Sequence, residues 1–271
     1  MSTEHDTTGS SNPQDISARF TAARAAGQSL QAYPGMPPTT LDQAYAIQAA
    51  AVARWPDAVA GWKVARVNPA FAAQFPEERL IGPAFAANIH RVAAGEAARC
   101  PVFDGGFAAV EAEVVIVVAE DAPAGKADWT ADTVLPFVKS MHIGVEVASS
   151  PLATLNDIGP GAIISDFGNN WGVVVGPEIV NWRELETIAV ETFIDGQSVG
   201  TGKVAIKPGP LGALAFTLNK RALQGTILRA GDVISTGMIT GVHDIRIGQQ
   251  SRHVFAGVGE VAVQITKAAG R

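Results

Sequence analysis

Glu111 and Glu113, in Val110-Glu-Ala-Glu-Val-Val-Ile-Val-Val118, and Glu146, in Ile143-Gly-Val-Glu-Val-Ala148, are carboxylates set inside otherwise apolar runs. Both runs read as strands that are apolar on both faces, the pattern of buried strands. Residues two apart on a strand share a face, so Glu111 and Glu113 point the same way. Carboxylates side by side in a low-dielectric setting raise each other's pKa or cost free energy unless a cation compensates them. With Glu146 as a third acid, the simplest such cation is a hard divalent metal, because Mg²⁺ and Mn²⁺ prefer carboxylate oxygens.

Two plainer readings compete. A Glu-x-Glu pair on a half-exposed strand simply faces water; here, though, Val115 and Val117 extend the glutamate face while Ala112, Val114, Ile116 and Val118 fill the other. A salt-bridge network with Lys63 and Arg66 is the second, but two cations against three acids leave negative charge unbalanced. Lys63 is the candidate for proton handling or for fixing a substrate carboxylate. Burial in its apolar stretch would lower its pKa and the nearby acids would raise it, and the alternative is an ordinary lysine paired with one glutamate. Arg66 is read as a surface or peripheral charge.

The elements that must position these groups change character along the chain. Residues 1–14 are polar, lack the basic-then-apolar build of a signal peptide, and are expected to be a disordered tail. Residues 15–60 read as a helical segment: Ile16 to Ala26 is one helix, and a second starts at Thr40 with Leu41, Ala44, Tyr45, Ile47 and Gln48 at helical spacing. Pro34, Gly35, Pro37 and Pro38 separate the two. Residues 61–271 turn to short β-branched runs, such as Gly172–Gly176, Ile188–Ile194, Val233–Thr236 and Val261–Ile265, with Asp195-Gly196 as a hairpin turn. The fold class is therefore α+β, a mainly β body behind a helical N-terminal segment.

The chain has 271 residues, 47% of them hydrophobic, enough for a sizeable core, and a net charge of −6 that argues against nucleic acid as the main partner. No apolar run reaches membrane-spanning length, so the expected setting is cytoplasmic, away from membranes. A single cysteine, Cys100, excludes an internal disulfide and any multi-cysteine metal site. His90, His142, His243 and His253 fit no ligand spacing with one another and are read as structural or surface residues.

Thr40-Leu-Asp-Gln-Ala-Tyr-Ala-Ile-Gln48, Gly61-Trp-Lys-Val64, Val110-Glu-Ala-Glu113, Gly144-Val-Glu-Val147 and Leu228-Arg-Ala-Gly-Asp-Val-Ile-Ser-Thr-Gly237 stand in an order that resembles the 2-keto-4-pentenoate hydratases. These form, with 4-oxalocrotonate decarboxylases, a branch of the fumarylacetoacetate hydrolase superfamily. The resemblance implies a mixed β-roll or barrel catalytic domain over 61–271, and Mg²⁺ or Mn²⁺ held by Glu111, Glu113 and Glu146. It also implies Lys63 as catalytic residue, a small 2-oxo acid substrate and a homo-oligomer. Asp166 matches the family's Asp before a small polar loop and would line the site; a tight turn explains it equally. Thr236 and Thr240 match a Thr-Gly loop whose hydroxyls and backbone N–H groups would take the substrate carboxylate, although a plain turn explains the glycines. Trp62, Phe167 and Trp171 would wall an apolar pocket or pack the core.

Departures from the family pattern bear on the substrate. Glu146 leads into Val-Ala-Ser-Ser where relatives carry Val-Asp-Ser-Arg, and Phe167-Gly168-Asn169 replaces Asn-Ala-Ser. An acid expected about fifteen residues after the lysine is not cleanly present, leaving Glu77 or Glu78 as substitutes. The activity implied is hydration of a 2-oxo-alkenoate in aromatic meta-cleavage catabolism. Decarboxylation of 2-oxo-3-hexenedioate is the alternative, with a non-catalytic subunit partnering an active homologue as a third.

Overall fold

The computed structural model describes residues 10–270, so most of the expected tail lies outside the described residues. Two helices lead: α1 (Pro13–Ala26), capped by the Asn12 side chain on the N–H of Gln14, and α2 (Leu41–Arg54), capped by Thr40. The first begins three residues ahead of the sequence expectation, because Asn12 and Pro13 supply an N-cap and a first-turn proline. Strands β1 (Val59–Arg66), β2 (Arg79–Phe85), β3 (Ile89–Arg91), β4 (Ala97–Val102), β5 (Phe107–Val118) and β6 (Val138–Ser150) follow. Two short helices, α3 (Leu155–Ile158) and α4 (Pro160–Ser165), precede β7 (Asn170–Glu178) and the hairpin of β8 (Thr187–Ile194) and β9 (Gln197–Ala205). Helix α5 (Gly209–Leu223) and strands β10 (Val233–Ser235), β11 (His243–Asp244), β12 (Gln250–Phe255) and β13 (Gly259–Lys267) complete the chain.

The strands form two sheets, one ordered β2-β1-β10-β5-β6-β7-β3 with β11 also on β5, the other β4-β13-β12-β8-β9. The first is mixed, with β10 parallel to β1 and β3 parallel to β7. The Asp195-Gly196 turn is as expected: both residues have positive φ (47° and 80°) and Ile194 pairs with Gln197 across it. Helices α3, α4 and α5, which the sequence reading did not pick out, lie within the mainly β body.

One face of the first sheet packs on the second sheet and α5 through Val110, Ala112, Val114, Ile116, Val145, Val147, Val261 and Leu214. The opposite face is concave. There the sheet curls until β2 meets β7, and Ala84, Val115, Val173, Val175 and Val233 from β2, β5, β7 and β10 form a small apolar cluster of their own. Helices α1 and α2 lie with α3 and α4 as a separate layer, joined through Ile16, Phe20, Ile47, Leu155 and Ala162. No helix among the described residues is long and apolar enough to cross a membrane.

Candidate metal centre

Period-two alternation along β5 sends Val110, Ala112 and Val114 into the core between the sheets, so Glu111, Glu113 and Val115 must share the concave face. Glu146 enters from β6, directly opposite Glu111 in the ladder. All three glutamates are buried, and one carboxylate oxygen from each lies within 4.8 Å of the others. This is the one such cluster among the described residues, and it contains no histidine.

Each carboxylate has a different environment. Glu146 takes Lys63 Nζ at 3.1 Å and the side-chain N–H of Asn170 at 3.0 Å. Glu113 Oε2 accepts from the Gly237 backbone N–H at 2.9 Å and from the Ser235 hydroxyl. Its Oε1 is buried with no hydrogen-bond partner. An orphaned buried carboxylate oxygen is costly in a dry site, and it is the kind of donor that a hard cation takes. The residues present therefore fit a divalent ion: three carboxylates converge, and one of them has an oxygen with no other partner.

The electrostatics agree. Burial, then the Glu146 charge, pushes the Glu111 carboxyl up to about 7, against the opposing pull of Lys63. Glu113 is raised well above the ordinary range by burial and by both neighbouring carboxylates, despite its bonds from Ser235 and Gly237. For Lys63, burial disfavours the ammonium, but Glu146, Glu111 and Glu113 together outweigh it and the pKa rises. The contest that sequence left open is won by the acids.

Lys63 reaches the cluster from β1, its stem confined by two glycines. A Cβ on Gly82, its cross-strand partner, would sit 2.2 Å from the Phe167 carbonyl oxygen. A Cβ on Gly168, whose φ is +70°, would sit 2.7 Å from Gly82 Cα and 3.4 Å from Lys63 Cε. Backbone thus passes where side chains could not.

Other candidates fall elsewhere. Asp166 does not face the glutamates; both its oxygens are taken by Arg24 of α1, at 2.5 and 2.9 Å. The Thr236 hydroxyl donates to the Val114 carbonyl at 2.7 Å, so its neighbours Ser235 and Gly237 make the contacts to Glu113. Thr240 joins Thr192 at 2.7 Å and His243 at 3.2 Å, in a polar chain that continues to His253. Glu77 pairs with Lys220 and Glu78 is an exposed neighbour of Arg79, so neither supplies the missing acid. Arg66 is exposed, as expected. Trp62 packs in the core under Arg221, Phe167 packs against Phe85 and Trp55, and Trp171 stacks on His90. Cys100 is buried, its thiol pushed up to about 12. Asn170, Ser235 and Arg24 were not singled out from sequence.

No family model matches the chain. A curated 2-keto-4-pentenoate hydratase of Burkholderia vietnamiensis is 27% identical over 213 residues, covering 77% of this chain and 79% of that protein. Among solved structures, a 4-oxalocrotonate decarboxylase from Pseudomonas putida G7, complexed with magnesium and adipate, superposes with a TM-score of 0.76 at 21% identity, covering 93% of this chain and 97% of its own. A fumarylpyruvate hydrolase from Pseudomonas aeruginosa, in complex with Mn²⁺ and pyruvate, gives a TM-score of 0.57 at 19% identity, over 76% of this chain and 89% of its own. Fold and sequence similarity together bear out the resemblance to the hydratase/decarboxylase branch of the fumarylacetoacetate hydrolase superfamily.

Proposed function

We propose that the chain is a divalent-metal-dependent hydratase of the 2-keto-4-pentenoate type, converting 2-hydroxypenta-2,4-dienoate and water to 4-hydroxy-2-oxopentanoate. The observation that carries this reading is the buried Glu111–Glu113–Glu146 cluster with an unpartnered Glu113 Oε1 and a lysine at its edge. Mg²⁺ or Mn²⁺ held by the three glutamates would supply Lewis-acid polarisation of the 2-oxo acid head.

The protein's own groups divide the remaining work. Lys63, its pKa raised by the acids, is bonded through Nζ to Glu146 at the edge of the cluster, where it serves as a proton donor or carboxylate anchor. Ser235 and Gly237 hold Glu113 by Oε2 and leave Oε1 without a hydrogen-bond partner. Asn170 fixes Glu146 while Lys63 balances part of its charge. The apolar floor of Val115, Val173, Val175 and Val233 keeps water from entering beneath the cluster.

The likeness in fold to a decarboxylase favours a second reading, decarboxylation of 2-oxo-3-hexenedioate. That substrate carries a second carboxylate and calls for a further cation. Lys63 is bonded to Glu146 beside the cluster, where the 2-oxo acid head would lie, and the monocarboxylate needs no cation beyond it. Dialysis against EDTA is expected to abolish hydration of 2-hydroxypenta-2,4-dienoate, and Mg²⁺ or Mn²⁺ to restore it. Full activity in protein shown metal-free by elemental analysis would end the hydratase reading, and faster turnover of 2-oxo-3-hexenedioate would transfer it to the decarboxylase. Metal retention without turnover of either substrate would leave the non-catalytic subunit.

A further inference from the structure

Arg24 lies in the last turn of α1, far in sequence from every group at the metal centre, yet it is 7% exposed and saturated with acceptors. Its Nε and Nη2 grip the two Asp166 oxygens at 2.5 and 2.9 Å. Nη2 also donates to the Ser149 carbonyl at 3.0 Å and the Asp166 carbonyl at 3.3 Å, and Nη1 to the Asn170 carbonyl at 3.1 Å. Phe103 and Phe167 flank the guanidinium at 5.4 and 5.1 Å. One side chain thus ties together the end of β6, the C-terminus of α4 and the start of β7. A planar fork does this; a lysine's point charge does not.

What Arg24 ties down is strained and touches the site. Phe167, Gly168 and Asn169 all have positive φ (54°, 70° and 62°), and a left-handed conformation costs a non-glycine residue roughly 1–2 kcal/mol. Such a turn persists only where its surroundings over-determine it. Its middle residue lies beside the Lys63 stem, where an added Cβ would fall 3.4 Å from Cε, and Asn170, the residue after the turn, donates to Glu146 Oε1 at 3.0 Å. Arg24 therefore holds by its backbone the residue that holds Glu146 by its side chain. The clamp also reaches Ser149, three residues after Glu146 on β6.

We propose that Arg24 is a positioning residue of the metal centre: through the Phe167–Asn169 turn and Asn170 it sets the Glu146 carboxylate and the Lys63 stem, making α1 a working part of the site. The inference rests on the metal reading above.

The test uses the full-length protein with Mn²⁺ alone as probe, free ion being counted by electron paramagnetic resonance and folding followed by circular dichroism. Arg24→Ala is expected to raise the Mn²⁺ dissociation constant by up to about tenfold, the lower end of the effect of removing a ligand's direct partner, because Arg24 acts through Asn170. Free guanidinium should restore much of that affinity, whereas sodium chloride at equal ionic strength should not. Arg24→Lys should bind Mn²⁺ more weakly than wild type despite keeping the charge. Phe20→Leu, which trims the packing of α1 without touching the clamp, should lower Tm and leave Mn²⁺ affinity unchanged. If Arg24→Ala does not fold, Asn170→Ala carries the test, with about a tenfold loss of affinity expected. Wild-type affinity in folded Arg24→Ala, or in Asn170→Ala where the former fails to fold, overturns the proposal, as does an equal loss in Phe20→Leu. A wild-type protein that binds no Mn²⁺ removes the metal reading and this inference with it, an outcome distinct from tight binding that the variants leave untouched.

Discussion

Glu113 and Lys63 have opposite dependencies on the ion, and this separates binding from catalysis. Glu113→Gln keeps volume but removes a charged donor, so metal affinity should fall sharply and activity should return in part with excess Mn²⁺. Lys63→Met keeps the apolar stem and removes the ammonium; metal should still bind while turnover falls by roughly two to four orders of magnitude, with no rescue by added metal. Near-normal turnover in Lys63→Met would reduce the lysine to a charge-balancing neighbour of Glu146. The carboxylates also link metal to pH. Glu111 is raised in the folded protein to about 7, so its stabilising contribution is complete below its unfolded pKa near 4.5 and is lost as pH climbs through 7. Glu113 shifts in the same direction. Metal-free protein should therefore soften as pH rises over that window, and the gain in Tm on adding Mg²⁺ should be larger near pH 8 than near pH 5. Equal gains at the two would show that these carboxylates are not the ion's site.

At the scale of elements, the site depends on how closely β2 approaches the turn before β7. Gly82→Ala would place a methyl 2.2 Å from the Phe167 carbonyl, and backbone cannot yield as a flexible side chain can. We expect a loss of stability of about 1–3 kcal/mol and, in the folded fraction, a larger loss of kcat than the distance to the reacting atoms suggests. Wild-type kcat and urea midpoint in that variant would show the contact to be slack. The strands and the three glutamates were legible in the sequence because their signal is local: a charge inside an apolar period-two run stands out by itself. Helix α5 was not read, since Pro208, Gly209, Pro210 and Gly212 look like a turn, although Leu211, Leu214, Ala215 and Leu218 recur at helical spacing. The resemblance offers Asp166 as a site residue, with a tight turn as the equal alternative, and its partner Arg24 lies 142 residues away, a distance that no local pattern spans. Thr236 was favoured over Ser235 by motif, yet strand register sets Ser235 beside Lys63 and leaves the next residue facing away. Local chemistry was visible; long-range partners and side-chain facing at a strand's end were not.

Across the whole molecule, apolar surface and a buried histidine each make a global property measurable. Met238, Val242 and Leu223 are exposed on a chain with only 17% charged residues, and a homo-oligomer, dimer or larger closed ring, is expected; a monomer at micromolar concentration in light scattering would contradict it. His253 lies fully buried between the sheets, its Nδ1 3.0 Å from the Thr192 hydroxyl and its Nε2 3.0 Å from that of Ser251. Burial first, then the nearby His243, pushes its pKa down to about 3. Above about pH 6.5 the imidazole is neutral whether the chain is folded or not and pH is without effect. Below it, the unfolded chain takes up a proton that the folded protein refuses until about pH 3, so stability falls by roughly 1.4 kcal/mol per pH unit. Metal-free Glu111 and Glu113 slope the other way, and a single melting curve would blur the two. Comparing His253→Gln with wild type cancels the carboxylates: the variant, which can still hydrogen-bond Thr192 or Ser251, should start less stable at pH 7.5 and close the gap as pH falls toward 4.5. Parallel urea-unfolding free energies across that range would mean that His253 is protonated within the fold, against the burial seen here.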